Sequence, residues 1–168
     1  MFVAQQLRQT NRAELLLYMW QVEDIVRAYD ADLDKLKAGY LTRFEVEGEA
    51  RAALEEWYGN LCRMMREEDK TKTGHLQVVE NILVGLEDRH RELLESEEGE
   101  AYRAQYYKVL PFVVELRAKH GSDAPADEIR TCFEFLYGLM LLKLQRKEVS
   151  EDTQKAAAEI SNLLKFLV

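Results

Sequence analysis

Apolar side chains recur every three or four residues along almost the whole chain, and no stretch of useful length alternates apolar with polar side chains. A spacing of three and four places apolar groups on one face of an α-helix, whereas alternation marks a half-buried strand. Only 8 glycines and 2 prolines interrupt the 168 residues, too few for the many turns of an all-β protein. The sequence therefore predicts an all-α fold: one domain, residues 1–168, built as a bundle of about six helices.

Capping residues predict where several helices begin and end. Asn11 starts a capping-box-like sequence, and Ser150 precedes two acidic residues at the start of the last helix. Residues 1–10 are predicted to form a short lead-in, and residues 30–40 a short helix or turn. Pro111 lies inside the predicted fourth helix, where its missing N–H and its ring predict a kink or a break.

The predicted fifth helix, about residues 126–147 with Pro125 at its start, is apolar nearly all round. A helix of that kind is usually the buried centre of a bundle. We therefore expect the fifth helix to be central, with the first and third helices packed on it.

Three glycines, Gly59, Gly85 and Gly138, fall inside helical patterns. Glycine in a helix costs about 1 kcal/mol relative to alanine, and close approach of another helix is the usual compensation. We expect each of the three to mark a helix crossing.

The charge balance excludes several classes of partner. The net charge is −8, from 23 basic and 31 acidic side chains without a basic block, so neither nucleic acid nor an anionic membrane surface is an expected partner. The longest apolar-rich stretch, residues 132–144, contains Glu134 and Lys143 and is too short to span a bilayer. The first residues lack the pattern of a signal peptide, which gives a cytoplasmic location by default.

One spacing is compatible with a metal site. Glu87 and His90 form a Glu-x-x-His sequence, which in di-iron bundles points a carboxylate and an imidazole into the core. Such a site needs a second motif and further glutamates, and neither His75 nor His120 has a glutamate three residues before it. We therefore expect no metal, with His90 as a core or boundary histidine bonded to a neighbouring carboxylate.

The first long helix carries an unusual strip beside its apolar face. Trp20, Glu23 and Arg27 lie along it, with Glu23 and Arg27 spaced as an i, i+4 ion pair. A tryptophan bordered by charges can line a binding groove. The same strip can equally be a second packing face with a partly buried ion pair, which is the commoner arrangement.

A second candidate surface is the tyrosine group of the fourth helix, Tyr102, Tyr106 and Tyr107, with Arg103 and Gln105 among them. Tyrosine and arginine are enriched at protein interfaces, although tyrosine is also common at the edges of ordinary cores.

The chain has no nucleophile elbow, no glycine-rich phosphate loop and no paired serine or cysteine with histidine. Cys62 and Cys132 lie inside helical patterns and are expected to be small buried hydrophobes. No catalytic residue and no cofactor is therefore predicted.

Two segments resemble a known family. The opening MFVAQQL followed by AELLLYMWQVED, and the later FLYGLMLLKL, are similar to an uncharacterised family of Bacteroidetes-type bacteria, domain-of-unknown-function family 4924. The resemblance covers the whole chain. It implies a bacterial, helical, cytoplasmic-type protein and supplies no catalytic residue.

Two functions from different classes remain open. The first is a non-enzymatic interaction or scaffold protein that binds a protein partner or associates with itself. The second is a helical-bundle ligand-binding protein or enzyme with a pocket near Glu23, Arg27, Glu87 and His90.

Overall fold

Eight α-helices and no β-strand occur in residues 1–123 and 127–168, the part of the chain that the computed structural model describes. In chain order they are α1 (Phe2–Thr10), α2 (Arg12–Ala28), α3 (Leu33–Gly39), α4 (Gly48–Glu67), α5 (Gln77–Glu95), α6 (Glu100–His120), α7 (Glu128–Leu144) and α8 (Glu151–Leu164). The all-α prediction is confirmed. The predicted number of six helices is wrong, because the lead-in and the short segment after residue 30 are helices in their own right.

Local caps explain several of the helix starts. The Asn11 side chain accepts a hydrogen bond from the Glu14 backbone N–H at 3.1 Å, and the Ser150 side chain accepts one from Thr153 at 3.2 Å. These contacts satisfy N–H groups that have no partner within the helix. The predicted helix start at Pro125 lies outside the described residues.

The helices form two compact units, Met1–Ile82 and Leu83–Val168, and α5 begins in the first unit and ends in the second. In the first unit, α1 and α4 pack on α2, and α3 packs on α4. Its fully buried side chains include Leu16, Val26 and Leu54.

In the second unit, α8 packs along α6, and α7 contacts both helices less extensively. The expectation that the apolar helix about 126–147 is central is therefore wrong. Ile129, Cys132 and Phe133 in the first turns of α7 are buried, but from residue 135 to its end only Leu139 is. Apolar periodicity predicts that a helix has an apolar face, but it does not show how much of that face other helices of the chain pack against.

No helix within the described residues is both long enough and apolar enough to cross a bilayer.

Pro111 does not break its helix, since α6 continues from Glu100 to His120 with the proline inside. A proline at this position has no N–H to donate to the carbonyl of Tyr107. Both residues are exposed, so water can bond the carbonyl that the proline leaves without an intrahelical donor.

Replacing the proline tests this interpretation. We expect Pro111→Ala to raise the free energy of unfolding by about 2 kcal/mol, because an interior proline is far less favourable in a helix than alanine. Urea denaturation followed by circular dichroism measures the change. Val114→Ala, an exposed change in the same helix, is the control and should shift stability by less than about 0.5 kcal/mol. A loss of stability in Pro111→Ala would contradict the interpretation.

Candidate functional site

Glu23, the acidic residue of the predicted strip on α2, is buried, with 1% of its surface exposed. Its two carboxylate oxygens have separate partners: His75 Nδ1 lies 2.6 Å from one, and the Leu76 backbone N–H donates to the other at 3.0 Å. Because a carboxylate only accepts, His75 Nδ1–H is the donor in the first bond. The carboxylate thus binds the segment immediately before α5.

Trp20, one turn earlier on α2, completes this arrangement. Its indole is buried and stacks on the His75 imidazole, with ring centroids 4.8 Å apart and planes 17° apart. The His75 side chain keeps 27% of its surface exposed. The imidazole is therefore fixed by a carboxylate at one nitrogen and by an indole on its face.

Arg27 also binds the loop that precedes α5. Its Nε donates to the carbonyl of Lys70 at 3.1 Å, its Nη2 donates to the carbonyl of Gly74, and its Nη1 lies 2.9 Å from an Asp24 carboxylate oxygen. Gly74 has φ +88°, a conformation that glycine adopts readily. The predicted Glu23–Arg27 ion pair is wrong, because each of the two residues binds other partners.

A second carboxylate binds the start of α5. Glu68, directly after α4, accepts a hydrogen bond from the Gln77 backbone N–H at 2.9 Å. Two N–H groups that begin a helix therefore donate to side chains from elsewhere in the first unit. The strip of Trp20, Glu23 and Arg27 holds the 68–76 loop, and the burial of Trp20 and Glu23 leaves them almost no surface to offer a partner.

His75 was missed by the sequence reasoning. The only signal is its position, next to a glycine at the end of a polar loop and two residues before a helix. No periodic pattern connects it with Trp20 or Glu23, which precede it by about fifty residues.

In the second unit, His90 lies among tyrosines. It is 2% exposed; its Nδ1 shares a hydrogen bond with the Tyr102 hydroxyl, and its ring packs edge-on to Tyr106 with centroids 5.0 Å apart. Burial lowers the pKa of His90 and Arg91 lowers it further, whereas the carboxylates of Asp127 and Glu128 oppose the shift. The bonded neighbour of His90 is a tyrosine, so the expected carboxylate partner is wrong.

Cys132 is also buried in this unit. Burial raises the pKa of its thiol to about 12, and the nearby carboxylates of Asp127 and Glu128 add to the shift. A thiol with so high a pKa stays protonated at neutral pH and is a poor nucleophile.

Glu87 and His90 do not belong to a larger group of metal-binding side chains. Within residues 1–123 and 127–168, no three histidine, cysteine, aspartate or glutamate side chains come together as a metal site.

The tyrosine group of α6 divides into buried and exposed members. Tyr102 and Tyr106 are buried, whereas Tyr107 is 64% exposed. Arg103 donates to the carbonyl of Ser96 at 2.5 Å, and Gln105 donates to a Glu159 carboxylate oxygen at 2.7 Å. Most of this segment therefore serves packing within the second unit, and Tyr107 is the member available to a partner.

Two grooves of the second unit lie along α7. A groove of about 510 Å³ runs between α7 and α8, lined by Leu136, Met140 and Ala157 among others. A second groove, of about 520 Å³, runs between α6 and α7 and is lined by Leu116, Phe135 and Leu142 among others.

Both grooves share Leu139. We call the two grooves and the partly exposed apolar side chains of α7 from residue 135 to residue 144 the α7 face.

A family model described as a domain of unknown function, DUF4924, matches residues 1–168. The chain belongs to the DUF4924 family. Searches of curated proteins and of solved structures found no significant match. The family resemblance drawn from the sequence is thus confirmed, and a DUF4924 chain comes with no established activity to compare with these sites.

Removing the Glu23 carboxylate tests its structural role. We expect Glu23→Ala to lower the free energy of unfolding by about 3 kcal/mol, because it leaves a buried N–H and an imidazole without their acceptor. Urea denaturation measures the loss. Glu67→Ala, which removes an exposed glutamate of α4, should cost less than about 0.5 kcal/mol. Equal effects of the two changes would rule out a special role for Glu23.

The buried histidine predicts a pH dependence of stability. Because the folded-state pKa of His90 lies below its ordinary value of 6.5, the unfolded chain binds the proton first as the pH falls. Stability is therefore full above the unfolded pKa and decreases as the pH drops through it. Unfolding from about pH 8 to about pH 5 should show a smaller acid loss in His90→Gln than in the wild type. His120→Gln, at an exposed histidine, should keep the wild-type slope; an unchanged slope in His90→Gln refutes the assignment.

Proposed function

We propose that this protein is a non-enzymatic helical interaction protein that binds a protein partner, or a second copy of itself, through the α7 face. The observation that carries the proposal is the incomplete cover of α7. Of its apolar side chains from Phe135 to Leu144, only Leu139 is buried, and Leu144 is 63% exposed. Contiguous exposed apolar surface along one helix face is a common mark of an interaction site.

The roles of the chemically versatile side chains support binding over catalysis. Glu23 binds the start of α5, His90 is bonded to Tyr102, and Cys132 is buried with a raised pKa. Each of these groups is used in packing, so none is aimed at an open cleft. This division of roles is typical of a scaffold rather than of an enzyme.

The charges around the α7 face favour a protein partner. Glu134 and Lys143 are exposed on α7, one of each sign, and the whole chain has a net charge of −8. A surface that binds nucleic acid needs clustered cations. The proposal includes a setting in the bacterial cytoplasm, which rests on the family resemblance alone.

A second candidate function is ligand binding at His75. It is favoured by one observation: the half-buried imidazole is oriented by Glu23 and stacked on Trp20. Such an arrangement is pre-organised for contact through the remaining ring nitrogen. Glu87 and His90, the other members of the predicted pocket, belong to the second unit.

Fluorescence tests this second candidate. In a Trp57→Phe background Trp20 is the only tryptophan, and its emission reports on the stacked imidazole. Titration with acetate or inorganic phosphate should give a saturable change that His75→Gln abolishes. A flat titration in the His75 protein counts against the candidate.

Cross-linking in a lysate of the source cells tests the main proposal. A lysine-reactive cross-linker should join Lys143 to a protein that mass spectrometry identifies, this chain included. Leu142→Glu should reduce that cross-link at least about tenfold, because a charge in an apolar interface loses well over 1.4 kcal/mol of binding energy. Val114→Glu, at an exposed site outside both grooves, is the matched control. Absence of any cross-link that depends on Leu142 overturns the proposal.

A further inference from the structure

His75 differs from the other two histidines of the chain in how its ring nitrogens are used. Its Nδ1–H donates to the buried Glu23 carboxylate at 2.6 Å. Its Nε2 has no hydrogen-bond partner among the residues that the structure describes, and it is open to solvent. His90 is 2% exposed, and His120 is exposed without a carboxylate bonded to it in the described part of the chain. Of the three, His75 alone combines an anchored ring with an accessible nitrogen.

The Glu23 carboxylate determines which nitrogen of His75 can react. Because it accepts from Nδ1–H, the lone pair of the neutral ring lies on Nε2. A carboxylate partner also fixes the orientation of an imidazole and makes its other nitrogen a stronger electron-pair donor. Trp20 stacks on one face of the same ring, so the imidazole is held at a nitrogen and at a face. His75 Nε2 is therefore a nucleophile that the fold orients in advance.

The loop that precedes His75 offers ammonium groups to an anion. The Lys70 Nζ lies 3.3 Å from the position that a Cβ of residue 74 would take, and Gly74 is the neighbour of His75 in the chain. Neither Lys70 nor Lys72 forms an ion pair with a carboxylate in residues 1–123 and 127–168. The exposed Asp69 carboxylate offsets one of these two charges. An anionic group attached to His75 therefore has an unpaired ammonium group close by.

We propose that His75 is a phosphoryl acceptor, which takes a phosphoryl group onto Nε2 from a small-molecule donor with a P–N or acyl-phosphate bond. This inference rests on the second candidate function, ligand binding at His75, and names the class of ligand. A phosphoryl group suits the site better than an uncharged acyl group, because the product carries up to about two negative charges that the Lys70 ammonium can bind.

The transfer balances without any further reactant. The Nε2 lone pair attacks phosphorus and forms the N–P bond. With phosphoramidate as the donor, the P–N bond breaks, and its electron pair leaves on ammonia, which already carries its protons. Because Nδ1 keeps its proton, the phosphorylated ring becomes cationic. The Glu23 carboxylate, 2.6 Å from Nδ1, stabilises that charge as it develops, which makes Glu23 a positioning residue for the reaction.

Labelling of the folded wild-type protein with phosphoramidate tests the proposal. Mass spectrometry under conditions that preserve P–N bonds measures the rate at each histidine. We expect His75 to be phosphorylated at least about tenfold faster than His120, because only His75 is activated by a carboxylate. His120 is the more exposed of the two, so accessibility alone predicts the opposite order. In concentrated urea the two rates should become equal, and a ratio in the folded protein no higher than the ratio in urea overturns the proposal.

Glu23→Gln tests the role of the carboxylate charge. The amide oxygen can still accept from Nδ1–H, but it does not stabilise a cationic ring. Labelling of His75 should slow at least about tenfold, whereas labelling of His120 in the same molecules should not change. Glu67→Gln, at an exposed glutamate of α4, is the matched control, and circular dichroism shows whether each variant is folded. An unchanged rate at His75 in folded Glu23→Gln overturns the role of Glu23.

The atom that carries the label gives a readout that does not depend on any variant. Phosphorus NMR of the labelled wild type distinguishes attachment at Nε2 from attachment at Nδ1. The proposal predicts Nε2, because Nδ1 is bonded to a buried carboxylate. Attachment of the phosphoryl group to Nδ1 of His75 overturns it.

Failure of this inference and failure of the second candidate function are distinguishable. A saturable fluorescence change with inorganic phosphate in the Trp57→Phe background, without preferential labelling of His75, overturns the phosphoryl acceptor and leaves ligand binding standing. A flat titration without preferential labelling overturns both. The cross-linking test of the α7 face is independent of either result.

Discussion

The start of α5 is the constraint on which the first unit depends. The N–H groups that begin a helix have no intrahelical partner, and four of the eight helices described here use their own flanking side chain. At α5, Leu76 and Gln77 donate instead to Glu23 of α2 and to Glu68 after α4. A single helix terminus thereby connects distant segments, and the locally capped starts are those at Asn11, Asp32, Asp127 and Ser150.

This arrangement explains why polar residues that were candidates for a functional site, such as Glu23, stabilise the fold. A buried carboxylate is tolerated only when hydrogen bonds and a charged or polar partner replace its water, and Glu23 obtains both from one loop. His90 follows the same rule with Tyr102. With these groups engaged in packing, α7 differs by its partly exposed apolar side chains from residue 135 to residue 144, on which the proposed interaction rests.

Local signals in the sequence predict much of the fold and little of the candidate sites. The caps at Asn11 and Ser150 correctly predict where α2 and α8 begin, because each cap depends on neighbours within a few residues. They cannot predict the stacking of Trp20 on His75, which brings together residues far apart in sequence. The wrong expectation of a central α7 has the same origin. Apolar periodicity shows which side chains of a helix are apolar, but it does not show which other helices pack against them.

Amide hydrogen exchange at the start of α5 tests the account most directly. Helix-initiating amides normally exchange fast, because no carbonyl of their own helix protects them. The account predicts that the Leu76 and Gln77 amides exchange as slowly as amides in the interior of α5, and that Glu23→Gln speeds exchange at Leu76 more than at Gln77. Rapid exchange of both amides in the wild type would contradict it.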